Sequence, residues 1–420
     1  MRAIVKQNKK IDLKIAATSF FMLAPFCEPT YFESQQPTIH KLYTLLEIIV
    51  LAYVAFKLLR DRPISKPVVA LFVFQTYLLV VTALFGGLIA SVFKAILDAV
   101  GIFLVIETFY EKNWGSFLVG GITLYFIIAL ASLVSVYLFP DGLYRASGGV
   151  YTAYYLYGHK NGILFNLFPG IVFASIYSIK ERTRSSDFFA TLFIVMVFIN
   201  VAVLESATSS VACCALFVIY LIARKGKLPR ISGGLLISLV IFIFVFILAG
   251  GVQAFFSDFF NVVDRDLTFS SRTYIWERAI NAIWESPVFG FGLENTAVSK
   301  IRFGGFSTPH NFALCELFYG GVVGLLLLTI AVWTCLSKVK RAPKVRELNF
   351  LMFALLILFA MSTMESMGIG LVKFSAVLAL IWCTSGAASQ EYCHSVSIAR
   401  SRHFGWWRCR ANARRTYRDF

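Results

Sequence analysis

The chain is dominated by apolar runs of about 18 to 25 residues separated by short polar stretches, the length that crosses a bilayer as a helix. Twelve such spans are expected, at about residues 12–27, 42–59, 67–85, 88–107, 115–139, 162–178, 187–204, 207–223, 233–250, 311–336, 348–367 and 371–388. Only Phe85, Gly86 and Gly87 separate the third from the fourth. The first run ends in FMLAPFCEPTYF, which has no small-residue cleavage site and reads as a retained span. One gap is far longer than the others, from 251 to 310. It contains an amphipathic pattern, so it is expected to be ordered rather than a linker.

Lys and Arg follow an alternating pattern that fixes the expected orientation, because short cytoplasmic loops carry the excess of positive charge. Every second connection is basic: Lys57, Arg60, Arg62 and Lys66; Lys112; Lys180, Arg182 and Arg184; Arg224, Lys225, Lys227 and Arg230; then Lys338, Lys340, Arg341, Lys344 and Arg346. Fusing the third and fourth spans would destroy the alternation. Both termini are therefore expected on the cytoplasmic side of the membrane. The expected organisation is 1–139 N-terminal helices, 140–161 a first external loop, 162–250 central helices, 251–310 a long external loop, 311–388 C-terminal helices and 389–420 a basic tail.

Composition agrees with an all-α polytopic membrane protein, since 58% of residues are hydrophobic and only 15% are charged. The formal charge of +16 is accounted for by topology and by contact with anionic lipid headgroups, and does not indicate nucleic acid. The tail, with seven arginines from Arg400 to Arg418 around Trp406 and Trp407, fits an interfacial segment on membrane lipid. The eight cysteines form no CxxC pair, and most lie within spans. No cofactor is expected.

Basic residues on the external side need another explanation. In RDLTFSSRTYIWERA, Ser270 or Ser271 can cap a helix that Pro287 ends, and Trp276, Ala279, Ile280, Ile283 and Trp284 form its apolar stripe. Arg272 falls on that stripe one turn earlier, whereas Arg278 lies off it. Arg272 is either a snorkelling residue or part of an anion site at a helix N-terminus, where its planar fork suits phosphate. Downstream, Thr308 and Pro309 are expected to start the tenth span with His310 just inside. The helix dipole there favours a neutral imidazole able to accept a proton. The other external loop reads GLYRASGGVYTAYYLYGHKNG, with Arg145, a dense set of tyrosines suited to a membrane interface or to sugar rings, and His159, Lys160 and Asn161. Asp264 and Asp266 flank Arg265 in a DxD, but two acids alone make a poor cation cage. No metal site is expected.

RDLTFSSRTYIW, then WESPVFGFG, then PHNFALCELFYGGVVGLLL, with GHKN before the sixth span, resembles the O-antigen ligase and polysaccharide polymerase superfamily. The resemblance covers about residues 140 to 335. It implies a GT-C-like, metal-independent inner-membrane glycosyltransferase acting on its periplasmic face on glycan linked to undecaprenyl diphosphate. Arg265 and Arg272 would then hold the diphosphate and His310 would assist attack by the acceptor hydroxyl. Arg145, His159, Lys160, Asn161, Trp276, Arg302 and Asn311 would contact substrate, and chain-length and export proteins are expected partners. The span opening with ESATSS (Glu205 to Ser210) lacks the arginine that ligases often carry there, which favours a repeat-unit polymerase over a ligase joining polymer to lipid A-core. A transporter or flippase for an anionic lipid-linked solute is the alternative class.

Overall fold

A computed structural model describes residues 11–61, 64–145, 153–248, 269–340, 342–365 and 370–388. The protein is an all-α membrane protein. Its helices are α1 (Leu13–Leu23, extended by a 3-10 turn, Ala24–Cys27), α2 (Thr30–Gln35), α3 (Pro37–Asp61), α4 (Lys66–Leu84), α5 (Ile89–Tyr110), α6 (Trp114–Leu138), α7 (Ile163–Glu181), α8 (Arg184–Val203) and α9 (Ala207–Arg224). There follow α10 (Gly233–Leu248), α11 (Phe269–Glu285), α12 (Thr296–Arg302), α13 (Phe312–Ser337), α14 (Arg346–Ser362) and α15 (Val372–Ala388). A two-residue hairpin, Tyr154–Tyr155 with Gly158–His159, precedes α7.

Each expected span overlies a helix. Among the described residues, eight helices are long and apolar enough to cross a membrane: α3 to α9 and α13. The first helix with its 3-10 extension, α10 and α15 are apolar but shorter, and α14 has 17 residues. The third and fourth spans are separate, as the charge pattern required. Gly86 turns the chain with a φ of 67° between α4 and α5, where a side chain would be strained.

At the centre is α7, with 83% of its apolar window buried against 22% for α3 at the rim. Rim helices direct Phe56, Leu84, Phe188 and Phe242 outward, as lipid-facing surfaces do. Polar residues are sorted by end. Asn161, Ser206, Asn311 and Thr363 lie where α7, α9, α13 and α14 meet one face of the bundle. Lys180, Arg224, Lys338 and Arg346 lie at the opposite ends of the same four helices and are tied down there. Lys180 sits 4.2 Å from the Trp114 ring centroid, Arg224 forms two bonds to Asp187 at 2.6 and 2.7 Å, and Arg346 donates to the Arg224 carbonyl.

The segment after α11 holds a break in α13. Gly321 has φ 61° and ψ −163°, outside helical space, and the turn Pro287 to Gly292 fills the gap. Phe291 N donates to Phe318 O and Gly292 N to Tyr319 O, while Val322 N and Val323 N donate to Pro287 O and Val288 O. The freed backbone groups of a broken helix within the apolar layer thus find partners in protein, the condition under which such breaks are tolerated. Tyr77 of α4 completes the junction by donating to Phe289 O and Gly320 O. A Cβ on Gly321 would lie 2.3 Å from Val288 O. This junction anchors the C-terminal end of α11.

Candidate functional site

The sequence pattern places Arg272 on the inward face of α11, and its side chain is only 15% exposed. The stripe is rotated from the expected one. Ile275, Trp276, Ala279 and Ala282 are buried, whereas Ile280 and Trp284 are 38% and 74% exposed. Counting apolar residues alone could not separate the edge that packs on protein from the edge left exposed, since both are apolar. The helix already includes Phe269, so Ser270 and Ser271 fall inside it rather than at its cap.

Inward pointing brings Arg272 onto Glu365, in the segment after α14, with Nη2 2.6 Å from Oε1. His310 approaches the other carboxylate oxygen, Nδ1 standing 3.6 Å from Oε2. Asn161 donates from Nδ2 to Oε1 at 2.9 Å, and Ser206 Oγ donates to Asn161 Oδ1 at 3.0 Å. One carboxylate therefore gathers an arginine, a histidine and an amide from three distant parts of the chain. The serine-rich start of α9 holds Asn161, because Ser209 Oγ contacts both Ser206 and the Asn161 carbonyl.

Burial by itself pushes the Glu365 carboxyl up. The polar contact from His310 and the charge of Arg272, joined by the His310 and His159 rings when these are protonated, outweigh it and hold the group below the ordinary carboxylate value. Glu365 is thus ionised at neutral pH. His159 is driven down to about 4, first by burial, with Lys160 and His310 adding and Glu365 opposing. It is neutral at pH 7, and its ring centroid lies 5.6 Å from that of Tyr154.

The start of α13 differs from the expected Thr308 cap. Asn311 is the N-cap, its Oδ1 accepting from Leu314 N, and His310 stands just outside the helix in the left-handed region at φ 49°. That conformation turns the imidazole out of the helical path towards Glu365. Asn311 is fully buried and donates from Nδ2 to Thr363 O, so it pins the segment carrying Glu365. Phe306 packs edge-on against the His310 ring.

Of the residues singled out in the sequence, Arg272, His310, Asn161, His159 and Asn311 converge, and Trp276 lies buried beside Arg272 on the same helix face. Lys160 and Arg145 lie on the hairpin side, Arg145 exposed next to the Tyr144 bridge to Tyr154. Arg302 is elsewhere: Glu294 takes its Nε at 3.0 and 3.2 Å, Glu285 takes Nη1 at 2.8 Å, and the guanidinium lies over Phe291. Arg265, Asp264 and Asp266 lie outside the described residues, as does the arginine-rich tail. Among the described residues no group of His, Cys, Asp or Glu is arranged to hold a metal ion. Glu365 carried no local motif. The signal available was a lone acid near the end of the expected span 348–367, which is costly unless paired.

The fold and this cluster define a polytopic membrane protein with a carboxylate-centred polar site at one end of its bundle. Residues 190–329, from within α8 to within α13, match the model of the O-antigen ligase family, which bears out the resemblance carried by the α11 and PHNF motifs. No curated protein matches the chain. The matched stretch contains Arg272, His310 and Ser206, whereas Asn161 and Glu365 come from outside it.

Proposed function

We propose that the protein is a glycosyltransferase that polymerises oligosaccharide units carried on undecaprenyl diphosphate, on the periplasmic face of the bacterial inner membrane, in surface-polysaccharide biosynthesis. The observation that carries the reading is Glu365 bound at once by Arg272 and His310. Glu365 holds His310 through Nδ1, leaving Nε2 to take a proton, and its charge stabilises the imidazolium that forms. The acceptor hydroxyl oxygen bonds to the anomeric carbon as its proton passes to His310. The bond from that carbon to the diphosphate oxygen breaks, and the carrier diphosphate leaves with the electron pair.

Arg272 has no partner but Glu365 among the described residues, and one contact leaves guanidinium N–H groups over for the leaving diphosphate. Because Glu365 neutralises part of that charge, Arg272 does not suffice alone for a dianionic group. Arg265, Lys160 and Arg145 supply the remaining positive charge in this reading. No step needs a nucleotide or a metal.

Deleting the gene and identifying what accumulates on the carrier lipid tests the reaction. Single repeat units are the expected result. Finished polymer lacking its final attachment would instead assign a ligase, and an unaltered lipid-linked pool would overturn both.

A further inference from the structure

On the side of α11 opposite Arg272 is a groove of about 490 Å³ that no step above uses, lined by Tyr274, Glu277, Arg278, Asn281, Glu285 and Arg302, with buried Ala282 and exposed Ile301 also bordering it. At 100° per residue, Arg272, Ile275, Trp276 and Ala279 share the buried face, Ile280 and Trp284 the exposed apolar edge, and Tyr274, Arg278, Asn281 and Glu285 the groove. The helix thus presents three faces: one to the bundle, one apolar edge left outside, and one to the groove.

Its chemistry is specific. Two carboxylates, Glu277 and Glu285, face two guanidinium groups, Arg278 and Arg302, so the formal charge of the lining is zero. Glu285 already neutralises Arg302 at 2.8 Å, with Glu294 behind it. Arg278 lies over the Tyr274 ring at 5.0 Å from its centroid. Tyr274 is 44% exposed, and its ring fits against Gly304, where a Cβ would stand 2.7 Å from it. Such a surface offers an aromatic face with planar donors and acceptors of both kinds, and no excess charge to select phosphate. Its volume falls within the range of about 300 to 1,000 Å³ that ligand sites occupy. Tyr274 to Glu285 span about 16 Å along the helix axis.

We infer that this groove is a glycan subsite, binding an uncharged stretch of oligosaccharide remote from the reacting sugar. It rests on the glycan-transfer reading and adds to it a hold on the growing chain. A polymer released from that hold dissociates sooner, so the groove sets product length.

The test uses the full-length protein in lipid nanodiscs. The probe is free oligosaccharide cleaved by mild acid from the carrier lipid of the deletion strain, titrated calorimetrically. Asn281→Ala and Tyr274→Ala are each expected to weaken binding tenfold or more, with Tyr274→Phe restoring most of it. In cells the same two variants give a ladder that stops short rather than one that vanishes. Wild-type affinity and wild-type ladders in both variants would overturn the subsite while leaving the reaction assignment intact. Groove-dependent binding by a protein that transfers no glycan would overturn the reaction and uphold the subsite.

Discussion

Arg272 and Glu365, 93 positions apart in the chain, meet at 2.6 Å. The pairing gives each a reason to be where it is. Arg272 leaves solvent because α11 turns that face towards the bundle, and Glu365 stays charged in a largely enclosed place because three cationic or polar groups surround it. An Arg at the head of an amphipathic helix is thereby converted from a snorkelling residue into one wall of a polar site.

Replacing Glu365 by Gln keeps shape and the acceptor for Asn161 but removes the charge that orients and stabilises His310. Turnover is expected to fall by about 10² to 10⁴, the range of a general base and its support. Chain-elongation rates at saturating lipid-linked substrate measure it, with membrane insertion checked by cysteine accessibility. A Gln variant within threefold of wild type would remove Glu365 from the mechanism.

Asn161→Ala deletes the 2.9 Å donor to Glu365 without touching the charged groups. A loss of about 1 kcal/mol, or roughly fivefold in rate, is expected. Ser206→Ala acts one bond further out and should cost less. The order of the two losses checks the chain of support, and a larger effect at Ser206 would break it.

Gly321→Ala introduces a Cβ at φ 61° and 2.3 Å from the Val288 carbonyl. The junction between α13 and the turn after α11 must then shift, at about 1 to 3 kcal/mol. A lowered melting temperature in detergent is expected together with reduced activity, since this junction fixes one end of the helix carrying Arg272. Gly234→Ala, with open space around it, is the control and should leave both unchanged.

Acid should destabilise the fold in two stages. His159 titrates near 4 when folded against 6.5 otherwise. Between those values the unfolded chain binds a proton that the folded chain refuses, and stability falls as pH drops. Glu365 is depressed from 4.5, so its contribution is present above that value and is lost as pH falls through its folded value. Thermal melts from pH 7.5 to 4 should show the decline beginning near 6.5, and His159→Gln should delay it. An unchanged onset in that variant would assign the decline to another group.

The helical spans were legible because lipid demands long apolar runs, and the split at Gly86 because charge alternation demanded it. Arg272, His310 and the 160s motif were legible as polar residues at helix ends. The rotated α11 stripe was not, since lipid and protein interiors both accept Ile and Trp. Asn311 as the cap in place of Thr308 depended on the left-handed turn at His310, which no residue-type preference announces. Glu365 was legible only as an isolated acid in an apolar stretch, because the partners that give it a role lie 55 to 204 positions away.

Reconstituted transfer with purified lipid-linked repeat units tests the central claim most directly. Wild-type protein in liposomes is predicted to build a glycan ladder on the carrier lipid without added nucleotide or divalent metal. Glu365→Gln, His310→Ala and Arg272→Ala, each folded and inserted, should build none detectable over the same time. A ladder of wild-type length from any of these three would contradict the account.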